Sequence, residues 1–93
     1  NLSTVAFVQI RTSQHNMTWS KKFIKGVKEM DEVVEFYRLS GTTDYLLKVL
    51  VPSIDKFDEF YKKLTDKIDL SDVTTSFAME EIKQTSNLPL NYI

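Results

Sequence analysis

Cysteine is absent from the 93 residues, which excludes disulfides, zinc–thiolate sites and thiol nucleophiles and permits a reducing compartment. There is a single histidine, His15, set in a polar loop with no second imidazole and no nearby partner acid. Neither a metal-ligand spacing nor a general acid–base pair can be built on it, and an exposed loop residue is expected. No apolar run approaches the roughly 20 residues that span a bilayer, and no charged-then-apolar signal segment opens the chain. A soluble, cytoplasmic protein with no membrane association is therefore expected. The formal charge is −1, with 12 basic and 13 acidic side chains interspersed, so no basic stripe of the kind that neutralises phosphates is visible. The chain alone is not expected to bind DNA. No catalytic residue, metal or cofactor is expected, and hence no enzyme.

The length suits one small domain, which buries only a moderate share of its surface and is commonly helped by a partner. Oligomerisation is expected on that ground alone.

Thr4–Arg11 is rich in β-branched and aromatic residues and reads as a strand. After the polar loop 12–16, Trp19, Phe23, Val27 and Met30 recur at helical spacing, interrupted by Gly26, which weakens a helix by roughly 1 kcal/mol and suggests close approach to a sheet. Glu32–Ser40 and Asp44–Val51 read as two strands joined by a turn at Gly41. Pro52 closes the second strand, and Ser53 stands at an N-cap position. Ile54, Phe57, Tyr61, Leu64 and Ile68 then mark one face of a second helix, with Asp58/Lys62 and Glu59/Lys63 as i,i+4 pairs. The Asp69–Asp72 turn leads to a last strand over Val73–Ile82, and residues 83–93, with Pro89, read as a tail. The aromatic residues Trp19, Phe23, Phe57, Phe60 and Tyr61 are read as core, and Glu80, Glu81, Lys62 and Lys63 as solvated or inter-subunit faces.

The order β-α-β-β-α-β is the ferredoxin-like split arrangement, an α+β sandwich with two helices on one face of an antiparallel sheet. If the other face met water, each strand would alternate apolar with polar. Instead Val5 and Phe7, Val34 and Phe36, and Leu46 and Leu50 lie opposite Ala6/Val8, Val33/Tyr37/Leu39 and Tyr45/Leu47/Val49. So large an apolar surface is seldom left uncovered. Face-to-face pairing of two sheets, giving a dimeric barrel-like assembly, is the simplest remedy.

Three blocks together resemble the Lrp/AsnC family, whose sensing part is also called the RAM domain. They are Asp31–Tyr37, the turn Ser40-Gly41-Thr42-Thr43-Asp44-Tyr45-Leu46-Leu47-Lys48-Val49, and the closing Thr75–Lys83 with Leu88-Pro89-Leu90 beyond it. The resemblance covers nearly the whole chain, so residues 1–93 are taken as one ligand-binding and oligomerisation domain. It implies sheet-to-sheet dimers, a tetramer of dimers, and a small amino-acid effector held between neighbouring dimers. By position the effector site falls on Gly41, Thr42, Thr43, Asp44 and Tyr45 with Thr75. Family members commonly carry Thr-x-Thr at that last place, and here the segment is Val73-Thr74-Thr75, which lacks the first hydroxyl. Full-length members also carry a helix-turn-helix module ahead of this domain. The sequence is thus expected to be either a domain of a longer regulator or a stand-alone sensing domain.

Physical chemistry supports such a site beside the resemblance. A free amino acid presents an ammonium, a carboxylate and a side chain. Asp44 can accept from the ammonium, Thr43 and Thr75 can donate, Tyr45 can supply wall and hydroxyl, and backbone at Gly41 can come close for want of a Cβ. Gly41 also suits a turn, Asp44 also suits local capping, and Thr75 also suits a strand. The rival reading is a small enzyme on the same dimeric barrel, such as a cofactor-free monooxygenase. It requires a cavity within the subunit lined by His15, Tyr37, Tyr45 or Trp19.

Overall fold

The computed structural model describes residues 4–13, 16–67 and 72–85. The elements run β1 (Thr4–Arg11), α1 (Met17–Lys28), β2 (Val33–Arg38), β3 (Tyr45–Val51), α2 (Ile54–Lys67) and β4 (Asp72–Phe77). The strands form one four-stranded sheet in the order β2-β3-β1-β4, with every pairing antiparallel. This is the ferredoxin-like topology expected from the sequence. The proposed loop position of His15, Ile68 of the second helix, residues 69–71 of the following turn and tail residues 86–93 lie outside the described residues.

Each helix starts where the chain supplies a cap. The Asn16 side chain accepts from the Trp19 backbone N–H at 2.7 Å, and the Ser53 hydroxyl accepts from that of Lys56 at 3.3 Å. Both helices cover the same face of the sheet. Ala6, Val8 and Ile10 of β1 and Tyr45, Leu47, Val49 and Val51 of β3 are buried there beneath Phe23 and Val27 of α1 and Phe57, Phe60 and Leu64 of α2. Burying each of these larger side chains contributes roughly 1.5–3 kcal/mol. Phe23 is the hub of an aromatic cluster, stacked on Trp19 at 5.0 Å between ring centroids and touching Tyr45 at 4.7 Å and Phe36 at 5.8 Å.

Four details differ from the sequence reading. A bulge between Val33 and Glu35 breaks the alternation of β2, so that Val33 lies opposite Val49 and Phe36 opposite Leu47, both on the helix side. Phe36 therefore joins the core and Tyr37 the open face, the reverse of simple alternation. The last strand ends at Phe77, not at Ile82: beyond it, Met79 and Ile82 are almost fully exposed. On α2, Phe57 and Leu64 of the expected face are buried together with Phe60, but Ile54 stays exposed at the helix start. Finally, interspersed charge along the chain does not mean interspersed charge in space. Lys21, Lys25 and Lys28 are exposed at i, i+4 and i+7 on α1, whose twelve residues include no acid, so they form a basic row on its outer side.

The open face of the sheet carries Val5, Phe7, Leu46 and Leu50 on the two central strands, all half-buried, with Tyr37 beside them on β2. Its polar members include Gln9, Thr74, Ser76, the Arg11–Asp72 pair at one end and the pair Lys48–Glu35, 3.5 Å apart.

Of the two helix-surface pairs expected, Asp58–Lys62 forms at 3.2 Å. Glu59 instead pairs with Lys56, and Lys63 reaches across to Glu32, donating to its Oε2 at 2.7 Å. The Lys63 hydrogen bond holds the Glu32 carboxyl below its ordinary value of 4.5, outweighing the opposing effect of burial. A carboxyl depressed by folding stabilises the native state above its unfolded pKa, and the contribution is lost as pH falls through the folded value. Lys63→Met is therefore expected to be slightly less stable than the parent at neutral pH, by about 0–1 kcal/mol since the lysine is half exposed. The gap should close as pH drops below 4.5. Urea unfolding of both proteins between neutral and strongly acid pH checks this, and a gap that stays constant would remove Glu32 as the group responsible.

Candidate functional site

The turn from Leu39 to Asp44 is fixed by backbone and by one acid. Gly41 has φ +112°, a conformation that side chains rarely adopt, and a Cβ built there would meet nothing within 4 Å. Backbone conformation, not crowding, is what asks for glycine here. Asp44 joins three segments: its N–H donates to the Ile10 carbonyl at 2.9 Å, its carbonyl accepts from the Leu39 N–H at 2.8 Å, and its Oδ2 accepts from the Thr12 N–H at 2.8 Å. The acid thus closes the turn onto the end of β1. A carboxylate has acceptor sites for about four hydrogen bonds, and Thr12 uses one.

Beside this turn lies an open, polar cleft of about 500 Å³. It is lined by Gly41, Thr42 and Asp44 of the turn, by Arg11, Thr12 and Ser13 at the end of β1, and by Asp72 at the start of β4. Arg11 and Asp72 face each other across the β1–β4 ladder, with Nη1 3.8 Å from Oδ2. Two carboxylates, a guanidinium and hydroxyls in one cleft suit a small ligand that bears both charges.

Three of the six residues expected at the site come together in this cleft: Gly41, Thr42 and Asp44. Thr43 is half-buried in the turn and outside the cleft wall. The Tyr45 ring is buried against Phe23 and Phe36. Thr75 pairs with Val8, on the helix-facing side of the sheet. Arg11, Thr12, Ser13 and Asp72 were not singled out from the sequence, because only the register of β1 against β4 brings them beside the turn.

Tyr45 and Tyr37 line a different cleft, between α1 and β2, with Ile24, Lys28, Phe36 and Arg38. It is open to the surface, whereas the enzyme reading requires a cavity within the subunit. Among the described residues no group of three or more His, Cys, Asp or Glu is placed to hold a metal ion, and no helix is long and apolar enough to cross a membrane.

The glutamate uptake regulatory protein of Zymomonas mobilis is 47% identical over 89 residues, covering 96% of this chain and 54% of that protein. The DNA-binding transcriptional activator DecR of Escherichia coli is 48% identical over 90 residues, covering 96% of this chain and 59% of that one. The chain therefore spans a little over half the length of these curated relatives, which are named as regulators and not as enzymes. Among solved structures, an AsnC family transcriptional regulator from Agrobacterium tumefaciens superposes with a TM-score of 0.93 at 52% identity, over 100% of this chain and 61% of that one. A transcriptional regulator from Neisseria meningitidis in complex with L-methionine gives a TM-score of 0.89 at 31% identity, over 99% of this chain and 60% of that one. The family profile described as the Lrp/AsnC ligand binding domain matches residues 5–88, and the chain belongs to that family.

Proposed function

We propose that this chain is the effector-sensing and assembly domain of a transcriptional regulator of the Lrp/AsnC type, acting in the cytoplasm, with residues 1–93 as one unit and 83–93 as its tail. The observation that carries the reading is the charged cleft at the Gly41–Asp44 turn, which offers Asp44 and Asp72 to an ammonium and Arg11 to a carboxylate. An amino acid is the ligand class that presents both groups together. The relative solved with L-methionine supports this choice of class. Thr43, Tyr45 and Thr75 support the cleft from behind its wall.

Two copies cover each other's open sheet faces, and dimers gather further into a tetramer of dimers with the cleft at their junction. DNA is gripped by another module of the regulator and not by this domain alone. The effector acts by favouring one assembly over another, since a ligand with equal affinity for both shifts nothing.

Asp44→Asn is the informative change, because the amide oxygen still accepts from the Thr12 N–H while the charge is lost. Calorimetric titration with a panel of amino acids, with light-scattering mass measured alongside, is expected to find one that binds the parent. Affinity in Asp44→Asn should fall about tenfold or more for the lost charge-assisted bond, with the unliganded mass unchanged. Equal titrations in the two proteins would remove Asp44 from the site.

A further inference from the structure

We infer that the cleft between α1 and β2 is a second ligand site, selective for an apolar monocarboxylate that carries no ammonium group. The cleft holds about 390 Å³, within the range of small-molecule pockets. Its apolar walls are Ile24 and Phe36, both half-buried, and the buried Tyr45; the Tyr37 side chain turns away to the open face of the sheet, where its hydroxyl donates to Glu35 at 2.9 Å. At its rim stand Lys28 from the last turn of α1 and Arg38 from the end of β2.

The charge pattern selects the ligand. The turn cleft includes Asp44 and Asp72, and a third cleft, lined in part by Leu50, Pro52 and Lys56, includes Asp31, Glu32 and Glu59. The cleft between α1 and β2 has none, and neither Lys28 nor Arg38 takes part in any of the ion pairs found among the described residues. The negative end of the α1 dipole lies close by, worth about half an elementary charge. Lys25 and Lys28 in that last turn, with Arg38 across the cleft, outweigh it.

A single anionic group is therefore attracted, and the guanidinium offers a carboxylate two parallel hydrogen bonds. An α-ammonium would meet like charge and no acidic side chain on the walls, so a zwitterionic amino acid is disfavoured. A bare phosphate would leave the apolar walls unfilled. The ligand that fits both features is an aryl or branched-alkyl acid, such as a 2-oxo or unsubstituted carboxylic acid. The turn cleft and this one thus divide between them amino acids and their amine-free counterparts.

Calorimetry with 3-phenylpropanoate, 3-phenylpropan-1-ol and phenylalanine tests this on the intact chain without any substitution. The carboxylate should bind at least about tenfold more tightly than the alcohol, which lacks the charge, and than phenylalanine, which adds the ammonium. The preference over the alcohol should shrink as salt is raised. Lys28→Gln combined with Arg38→Gln should abolish the preference, and circular dichroism should match the parent because both side chains are at the surface. Asp44→Asn should leave it untouched, which separates this site from the turn cleft. No binding of 3-phenylpropanoate at millimolar concentration, equal binding of the alcohol, or full affinity in the double variant would each overturn the assignment.

Discussion

Phe23→Ala is expected to destabilise the domain by about 3–5 kcal/mol, the range for truncating a buried phenylalanine. Phe23 is 1% exposed and is the one ring in contact with Trp19, Phe36 and Tyr45 together. Its removal forfeits its own burial and also the edge and stacking contacts that hold α1 against β2 and β3. Small domains hold only about 5–15 kcal/mol in total. At roughly 4–8 °C per kcal/mol, the thermal midpoint should fall by about 12 °C or more. Phe23→Leu, which keeps most of the volume, should recover much of the loss. Thermal unfolding followed by circular dichroism measures both, and a drop of only a few degrees in the alanine variant would show that the cluster relaxes to fill the gap.

The second large effect concerns assembly. Phe7 lies on the open face of β1, in register with Lys48 of β3 and Ser76 of β4. In a single subunit Phe7→Glu is tolerable, because an opposite charge directly across two strands is mildly favourable. Between two sheets it is not. A symmetric interface repeats the change on both sides, and a carboxylate buried without full pairing costs on the order of 3 kcal/mol or more. The sheet-to-sheet dimer proposed above is expected to weaken at least about a hundredfold. Light scattering should then report the monomer mass, with the helical and strand content of the parent retained. A mass unchanged by Phe7→Glu would mean that subunits meet elsewhere.

The architecture was legible because each element advertised itself locally. Val5 to Ile10 and Tyr45 to Val51 are too rich in apolar and β-branched residues to be anything but central strands, and Ser53 marks the second helix by its hydroxyl. Asn16 is an equally good cap by residue type, but its place at the end of the polar loop 12–16 hides that role in the sequence. What pattern alone missed depends on pairing. The bulge at Val33/Glu35 reverses the faces of Phe36 and Tyr37, and no periodicity in six residues announces an extra residue. The same holds for the turn cleft. Gly41 and Asp44 stood out as residue types, but Arg11 and Asp72 are ordinary charged residues until register sets them opposite each other. Asp44 was legible as either a local clamp or a ligand contact, and its bond to the Thr12 N–H establishes the first role while leaving acceptor capacity for the second.

The direction of β1 has a mechanical consequence. Thr4 sits opposite Val51, beside the start of α2, whereas Ile10 and Arg11 reach the turn and the charged cleft. Eight residues of strand separate the two ends, a distance of roughly 25 Å. In a longer regulator, a reading head joined ahead of Thr4 would be attached at the pole of the domain remote from the guest. Within one subunit, news of occupancy would have to travel through the stiff central strands or through a rearrangement of whole subunits.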